Sequence, residues 1–178
     1  VGSVCDDTAT TDTVPSFYEL TGFLETEQKI WTVLSTVLDS TEGVPDQCIS
    51  TTKKSLVGTD YEYEECYSID LLTKICRKVK ASLNMGTGRG PVVDASGQRG
   101  TSDRKYTAVH YRAEEKCMVL IFVDSGKEEC EMRVWDDHVN TTRGVISTDC
   151  ELDFDKQCKD KPKYMLYDSM CKKLKSDS

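Results

Sequence analysis

Histidine is scarce in this chain of 178 residues, which has only His110 and His138. There is no CxxC step, no GxSxG step and no cluster with metal-ligand spacing. Zinc sites, thioredoxin-type exchange and serine-hydrolase chemistry therefore have no foothold, and neither catalysis nor a cofactor or metal is expected. His138, just after Asp136 and Asp137, reads as a solvated loop residue. No apolar run approaches the roughly 18 residues that a membrane-spanning helix needs. No secretory leader is visible, so a mature chain whose leader has been removed is expected. Repeats, low-complexity tracts and linkers are also missing. This predicts one domain over 1–178, with 1–12 and 173–178 flexible. Positive charge is in deficit: 23 lysines and arginines stand against 31 acidic residues, a net charge of −8. That balance argues against nucleic acid or an anionic membrane as partner, and solubility is its plainest meaning.

Cysteine is plentiful. Nine are spread along the chain, at 5, 48, 66, 76, 117, 130, 150, 158 and 171. The distribution reads as a disulfide framework in an oxidising, extracellular compartment, and the odd count leaves one cysteine over. The sequon at Asn140, Thr141 and Thr142 fits that compartment and marks Asn140 as a glycosylation candidate.

The stretch Cys117–Trp135 carries the most structural information. It holds two β-like runs, CMVLIFV and CEMRVW, joined by a polar turn. In a strand, Cys117, Val119, Ile121 and Val123 point one way, and Met118, Leu120 and Phe122 the other. A strand apolar on both faces is covered on both. The second run alternates Cys130, Met132 and Val134 against Glu131, Arg133 and Trp135, so one face carries a carboxylate, a guanidinium and an indole.

Elsewhere, Phe17, Leu20 and Leu24 share a helical face, with Asp12 or Thr13 near the cap and Pro15 in the first turn. Strands are expected at 29–38 and 47–57. A further strand at 61–69 places Tyr61, Tyr63, Tyr67 and Ile69 on one face. Another at 74–85 places Arg77 with Val79, Ala81, Leu83 and Met85. Cys66 and Cys76 flank the turn between these last two and are candidates to pair. Residues 86–104 read as loop with a minor strand at 91–94. Strands at 106–113, 117–123 and 130–135 form a meander. A helix follows from about 147, capped by Ser147, Thr148 or Asp149, with Cys150, Phe154 and Cys158 on one face. A last extended piece runs over 162–171. Seven or eight hairpin-linked strands with a helix at each end predict an all-β, eight-stranded antiparallel up-and-down barrel, with room inside for one small ligand.

At PSFYEL (15–20), IWTVLST (30–36), Cys48, CMVLIF (117–122), CEMRV (130–134), Cys150 and Cys171 the chain resembles a tick salivary lipocalin of the histamine-binding-protein family. The resemblance implies the disulfides Cys48–Cys171 and Cys117–Cys150. Cys130–Cys158 is a further candidate pair, with Cys5 left over. It also implies a secreted protein that sequesters a small host mediator to suppress host defence.

The chain departs from the family where amine chemistry is expected. The acid-Ala-Trp-basic step on the first helix is here Pro15-Ser16-Phe17-Tyr18, and the acid after the first β-meander cysteine is Met118. Glu131 keeps its place, but the tryptophan after the next residue becomes Arg133. One glutamate beside an arginine supplies little net negative charge for a buried amine. A lipophilic ligand (leukotriene, fatty acid or sterol) is therefore expected ahead of histamine or serotonin. Phe17, Trp31, Tyr61, Tyr63, Tyr67, Met118, Leu120 and Phe122 would line its path, with Arg77, Arg112 or Arg133 meeting a polar end. A host protein such as a complement component, held on the outer surface, is the remaining alternative.

Overall fold

The computed structural model describes residues 13–97, 103–139 and 148–176. Helix α1 (Phe17–Leu24) is followed by β1 (Ile30–Ser35), β2 (Gln47–Val57), β3 (Asp60–Ser68), β4 (Thr73–Asn84) and β5 (Val92–Ser96). After these come β6 (Asp103–Arg112), β7 (Cys117–Asp124), β8 (Lys127–Trp135) and helix α2 (Asp149–Gln157). Each strand pairs antiparallel with the next, and β8 returns to β1, from Ile30 opposite Trp135 to Ser35 opposite Glu131. The meander thus closes into an eight-stranded antiparallel barrel with no free edge among these strands. Irregular register in β1, β2 and β6 bends those strands where the cylinder must curve.

Local chemistry sets the element ends. Ser16, not Asp12 or Thr13, caps α1. Its Oγ accepts from the Glu19 amide at 3.1 Å, and the Glu19 carboxylate accepts from the Ser16 amide at 3.0 Å. This reciprocal box leaves Pro15 outside the helix rather than in its first turn. Thr148 caps α2, accepting from the Glu151 amide. The turn after β7 is tighter than the sequence pattern suggests. Ser125 (φ 51°) and Gly126 (φ 77°) form a two-residue reversal of the kind that matches strand twist, so β8 begins at Lys127. The 91–94 segment is a full barrel strand, β5, and β6 starts three residues before Tyr106. The 162–171 piece is less extended than expected. Only Tyr164–Met165 adds to the sheet, beside β1, and Ser169–Lys173 is a 3-10 turn.

Two cores result. The inner one fills the barrel with Leu20, Phe23, Leu24, Ile30, Tyr61, Tyr63, Val79, Leu83, Tyr106, Met118, Leu120 and Phe122. The outer one lies under α2, where Phe154 packs with Val119, Ile121, Met132 and Val134. This explains why β7 is apolar on both faces: one looks into the barrel, the other at a helix.

The disulfides join Cys48–Cys171, Cys66–Cys76, Cys117–Cys150 and Cys130–Cys158. The last two fasten α2 to β7 and β8. Cys66 and Cys76 stand directly opposite each other across β3 and β4. Cys5, Asn140 and Ser147 lie outside the described residues. Cys48–Cys171 closes a loop with a sequence separation of 123. In the chain-entropy view such a closure stabilises by about 4–5 kcal/mol. Replacing both cysteines by alanine should lower the urea-derived unfolding free energy by that amount, and a loss under about 1 kcal/mol would place the stability elsewhere.

Candidate ligand site inside the barrel

Alternation sends one side chain in two inward, and the inward set is layered along the barrel. At the α1 end it is apolar. Phe23 packs edge-on to Tyr111 at 5.8 Å and lies 6.2 Å from Trp135, whose indole N–H donates to the Phe23 carbonyl at 3.0 Å. Below them Lys53 pairs with Glu25 and Glu27 at 2.8 and 3.1 Å, fixing the chain that leaves α1.

The middle layer is aromatic and charged. Tyr61 stacks on Tyr63 at 4.8 Å. The Arg133 guanidinium lies 4.5 Å over the Tyr106 ring, and its Nε donates to Glu131 Oε1 at 2.6 Å. Both members of this ion pair are buried, with side-chain exposures of 8% and 3%. Burial works against the arginine's charge, but Glu131 beside it more than compensates, so its pKa is raised and it stays protonated. Burial pushes the Tyr61 hydroxyl up to about 12 and that of Tyr63 well above its ordinary value.

Toward the other end, Arg104 lies 4.2 Å over the Phe122 ring. Its two terminal nitrogens donate to the Asp39 carboxylate, each at 3.3 Å. Asp39 belongs to the segment between β1 and β2, so this pair holds that segment against the barrel wall. Glu65 is buried on the tyrosine face of β3, and register sets Arg77, half-buried, across from it. The site therefore combines an apolar floor, three stacked or edge-packed phenols and two guanidiniums, each already answered by a carboxylate. The inner side chains meet one another closely: Leu20, Ala108 and Met118 have no accessible surface, and Leu120 and Tyr106 have 1% each. A water-sized void beside them would leave surface on them.

The expected site residues separate into groups. Tyr61, Tyr63, Met118, Leu120, Phe122, Glu131 and Arg133 come together inside, and Phe17 packs at the edge of that cluster. Arg77 stands on the inner face nearer the mouth. Tyr67 joins Ile49 and Leu166 in a separate small cluster, so the tyrosine row is divided. Trp31 is not in the lumen. Plain alternation from the inward Ile30 turns it outward opposite Val134, 5.0 Å from Tyr167, with its N–H donated to Asp136 at 2.7 Å. Arg112 is not there either: it binds Asp153 of α2 through two nitrogens, at 2.8 and 3.0 Å, and serves to dock the helix. Sequence reasoning missed Arg104, Tyr106, Asp39 and Glu65. Period-two alternation from Ala108 back to Arg104, and the place of Glu65 between Tyr63 and Tyr67, could have found three of them. Asp39 has no such signal, because its partner lies 65 residues away.

A closed antiparallel barrel with a helix across its floor and a mixed polar and apolar lumen defines the class: this is a lipocalin-like fold. The family model for tick histamine binding proteins matches residues 16–173, and the chain belongs to that family. Among solved structures it resembles Japanin from Rhipicephalus appendiculatus bound to cholesterol. The identity is 12% and the TM-score 0.55, over 80% of this chain and 94% of that one. No curated protein matches the sequence.

Two predictions follow from the buried groups. Because the folded-state pKa of Tyr61 is raised to about 12, its contribution is complete below the unfolded value near 10 and is lost as pH climbs from 10 to 12. Stability measured by denaturant should fall across that window by a few kcal/mol, together with delayed tyrosinate absorbance. A flat profile would mean that Tyr61 is solvated. Removing Glu131 alone by Glu131→Leu should cost about 3–5 kcal/mol, since it strands the guanidinium. The double change Glu131→Leu with Arg133→Met should recover most of the loss, and a double mutant as unstable as the single one would deny the coupling.

Proposed function

We propose that this chain is a secreted lipocalin that sequesters a small, lipophilic host mediator such as a leukotriene, a fatty acid or a sterol, and thereby suppresses host defence without catalysis. The single observation that carries this reading is the state of the buried charges. Glu131 is committed to Arg133 and Asp39 to Arg104. A cationic amine placed among them would have to break an ion pair and leave a guanidinium buried and unanswered, at a cost of several kcal/mol. A hydrocarbon makes no such demand, and an acidic or hydroxylated end can share the guanidiniums by charge-assisted hydrogen bonds. The neutral phenols of Tyr61 and Tyr63 add hydrogen-bond donors.

Family membership supports capture of a small molecule, and a neighbour that shares the barrel is bound to cholesterol. Oxidised cysteines support an extracellular setting. Because the inner side chains are in mutual contact, uptake displaces some of them. Met118, unbranched and polarizable, is the side chain best suited to move.

Native mass spectrometry of the purified protein should reveal a co-purifying lipid. Calorimetric titration with a leukotriene, a fatty acid and a sterol should give submicromolar binding for at least one. Histamine and serotonin should give no heat; a submicromolar amine signal with no lipid signal would replace this reading with amine capture. Retention of a complement component from serum, with neither small-molecule class bound, would move the function to the outer surface.

A further inference from the structure

The disulfides are not equally placed. Of the bonded cysteines among the described residues, Cys76 alone is exposed; its partner Cys66 and the members of the other three pairs are buried. A thiol in solution can therefore reach one sulfur of one bond. That bond also closes the shortest loop, with a sequence separation of 10 against 28, 33 and 123. In the chain-entropy view the fold loses least when it opens. The β3–β4 ladder does not depend on it, since backbone pairing continues on both sides, from Asp60 opposite Ser82 to Tyr67 opposite Ile75.

The surroundings favour one direction of opening. Val79, Ala81 and Leu83 of β4 point inward, so alternation puts Lys74, Cys76 and Lys78 together on its outward face. The exposed sulfur thus stands between two lysines, with Glu64 opposite Lys78 on β3. Behind it, the Cys66 sulfur lies 3.6 Å from Glu64 Oε1, placed as a donor toward that oxygen. A disulfide sulfur has no hydrogen to give, whereas a thiol there would find its acceptor already in position. We propose that Cys76 is a site of S-thiolation, by thiol–disulfide exchange with an anionic low-molecular-weight thiol of the glutathione class. The incoming thiolate attacks the Cys76 sulfur along the S–S axis. The Cys66–Cys76 bond breaks as the new S–S bond forms, and the electron pair leaves on Cys66. The proton lost by the incoming thiol ends on Cys66, beside Glu64. One disulfide replaces another, so no outside oxidant or reductant enters. The product carries an acidic adduct between Lys74 and Lys78 and a buried Cys66 thiol. The proposal stands apart from whatever the barrel holds.

In the test, the full disulfide-bonded protein meets reduced glutathione without oxygen, is quenched early with iodoacetamide and is mapped by peptide mass. The same chain with Cys5→Ser runs beside it, so that the ninth cysteine takes no part. The first product should carry one glutathionyl group on Cys76 and one alkyl group on Cys66. The other three bonds should stay intact and the near-ultraviolet circular dichroism should be kept. Cysteamine, a cationic thiol, should react at Cys76 about threefold more slowly or worse at low salt, and the difference should close at high salt. Lys74→Gln with Lys78→Gln should close it at low salt too. If that variant fails to fold, the salt series on the unaltered protein gives the same reading. A first adduct on any other bonded cysteine, no adduct on Cys76, adducts that form only as the dichroism is lost, or equal rates for the two thiols at low salt would each overturn the proposal.

Discussion

The return of β8 to β1 is the constraint on which the rest depends. Once Ile30 lies opposite Trp135 and Ser35 opposite Glu131, every strand has an inside and an outside. A single alternation then decides each residue's environment. Glu131 and Arg133 become buried charges because closure leaves them nowhere else to point. Cys130, Met132 and Val134 become a floor for α2 by the same rule. The closure also brings Thr36 to Cys130, whose carbonyl and amide both bond to it, and so fixes where the segment after β1 leaves the wall.

Burying arginines is expensive, and the interior meets the cost in a repeated way. Each guanidinium is given a carboxylate on one edge and an aromatic face against its plane: Glu131 and Tyr106 for Arg133, Asp39 and Phe122 for Arg104. The pattern satisfies charge and hydrogen bonding together. It also sets the polarity of the lumen, with hydrocarbon at the α1 end and neutralised ions toward the mouth. The two ion pairs differ in kind. One joins residues two apart on a single strand; the other links the wall to a connecting segment.

Much of this architecture was readable in the sequence where period-two alternation is strong. β3, β4, β7 and β8 announce themselves, and β7 with an apolar face on each side implies a cover on both. The pair Cys66–Cys76 is visible in the hairpin it flanks, whereas Cys117–Cys150 and Cys48–Cys171 rest on the family resemblance. Legibility failed for two reasons. Glycine-rich surroundings reduced β5 to a minor strand at 91–94 and hid the start of β6, which removed Arg104 from view. The pairing of Trp31 with the outward Val134 and the bidentate bond from Arg112 to Asp153 are tertiary facts, so Trp31 and Arg112 looked like lumen residues when they are not. A strand pattern gives the face of a residue but not its partner, and a long-range ion pair such as Asp39 with Arg104 leaves no periodic trace.

The stitching of α2 at both Cys150 and Cys158 has a mechanical corollary. A helix sewn covalently to two adjacent strands cannot swing away, so the wall formed by β7 and β8 behaves as a rigid plate. Whatever breathing admits a guest must come from parts fastened only by weak bonds: the stopper helix at the base, or the strap that a single arginine buckles across the rim.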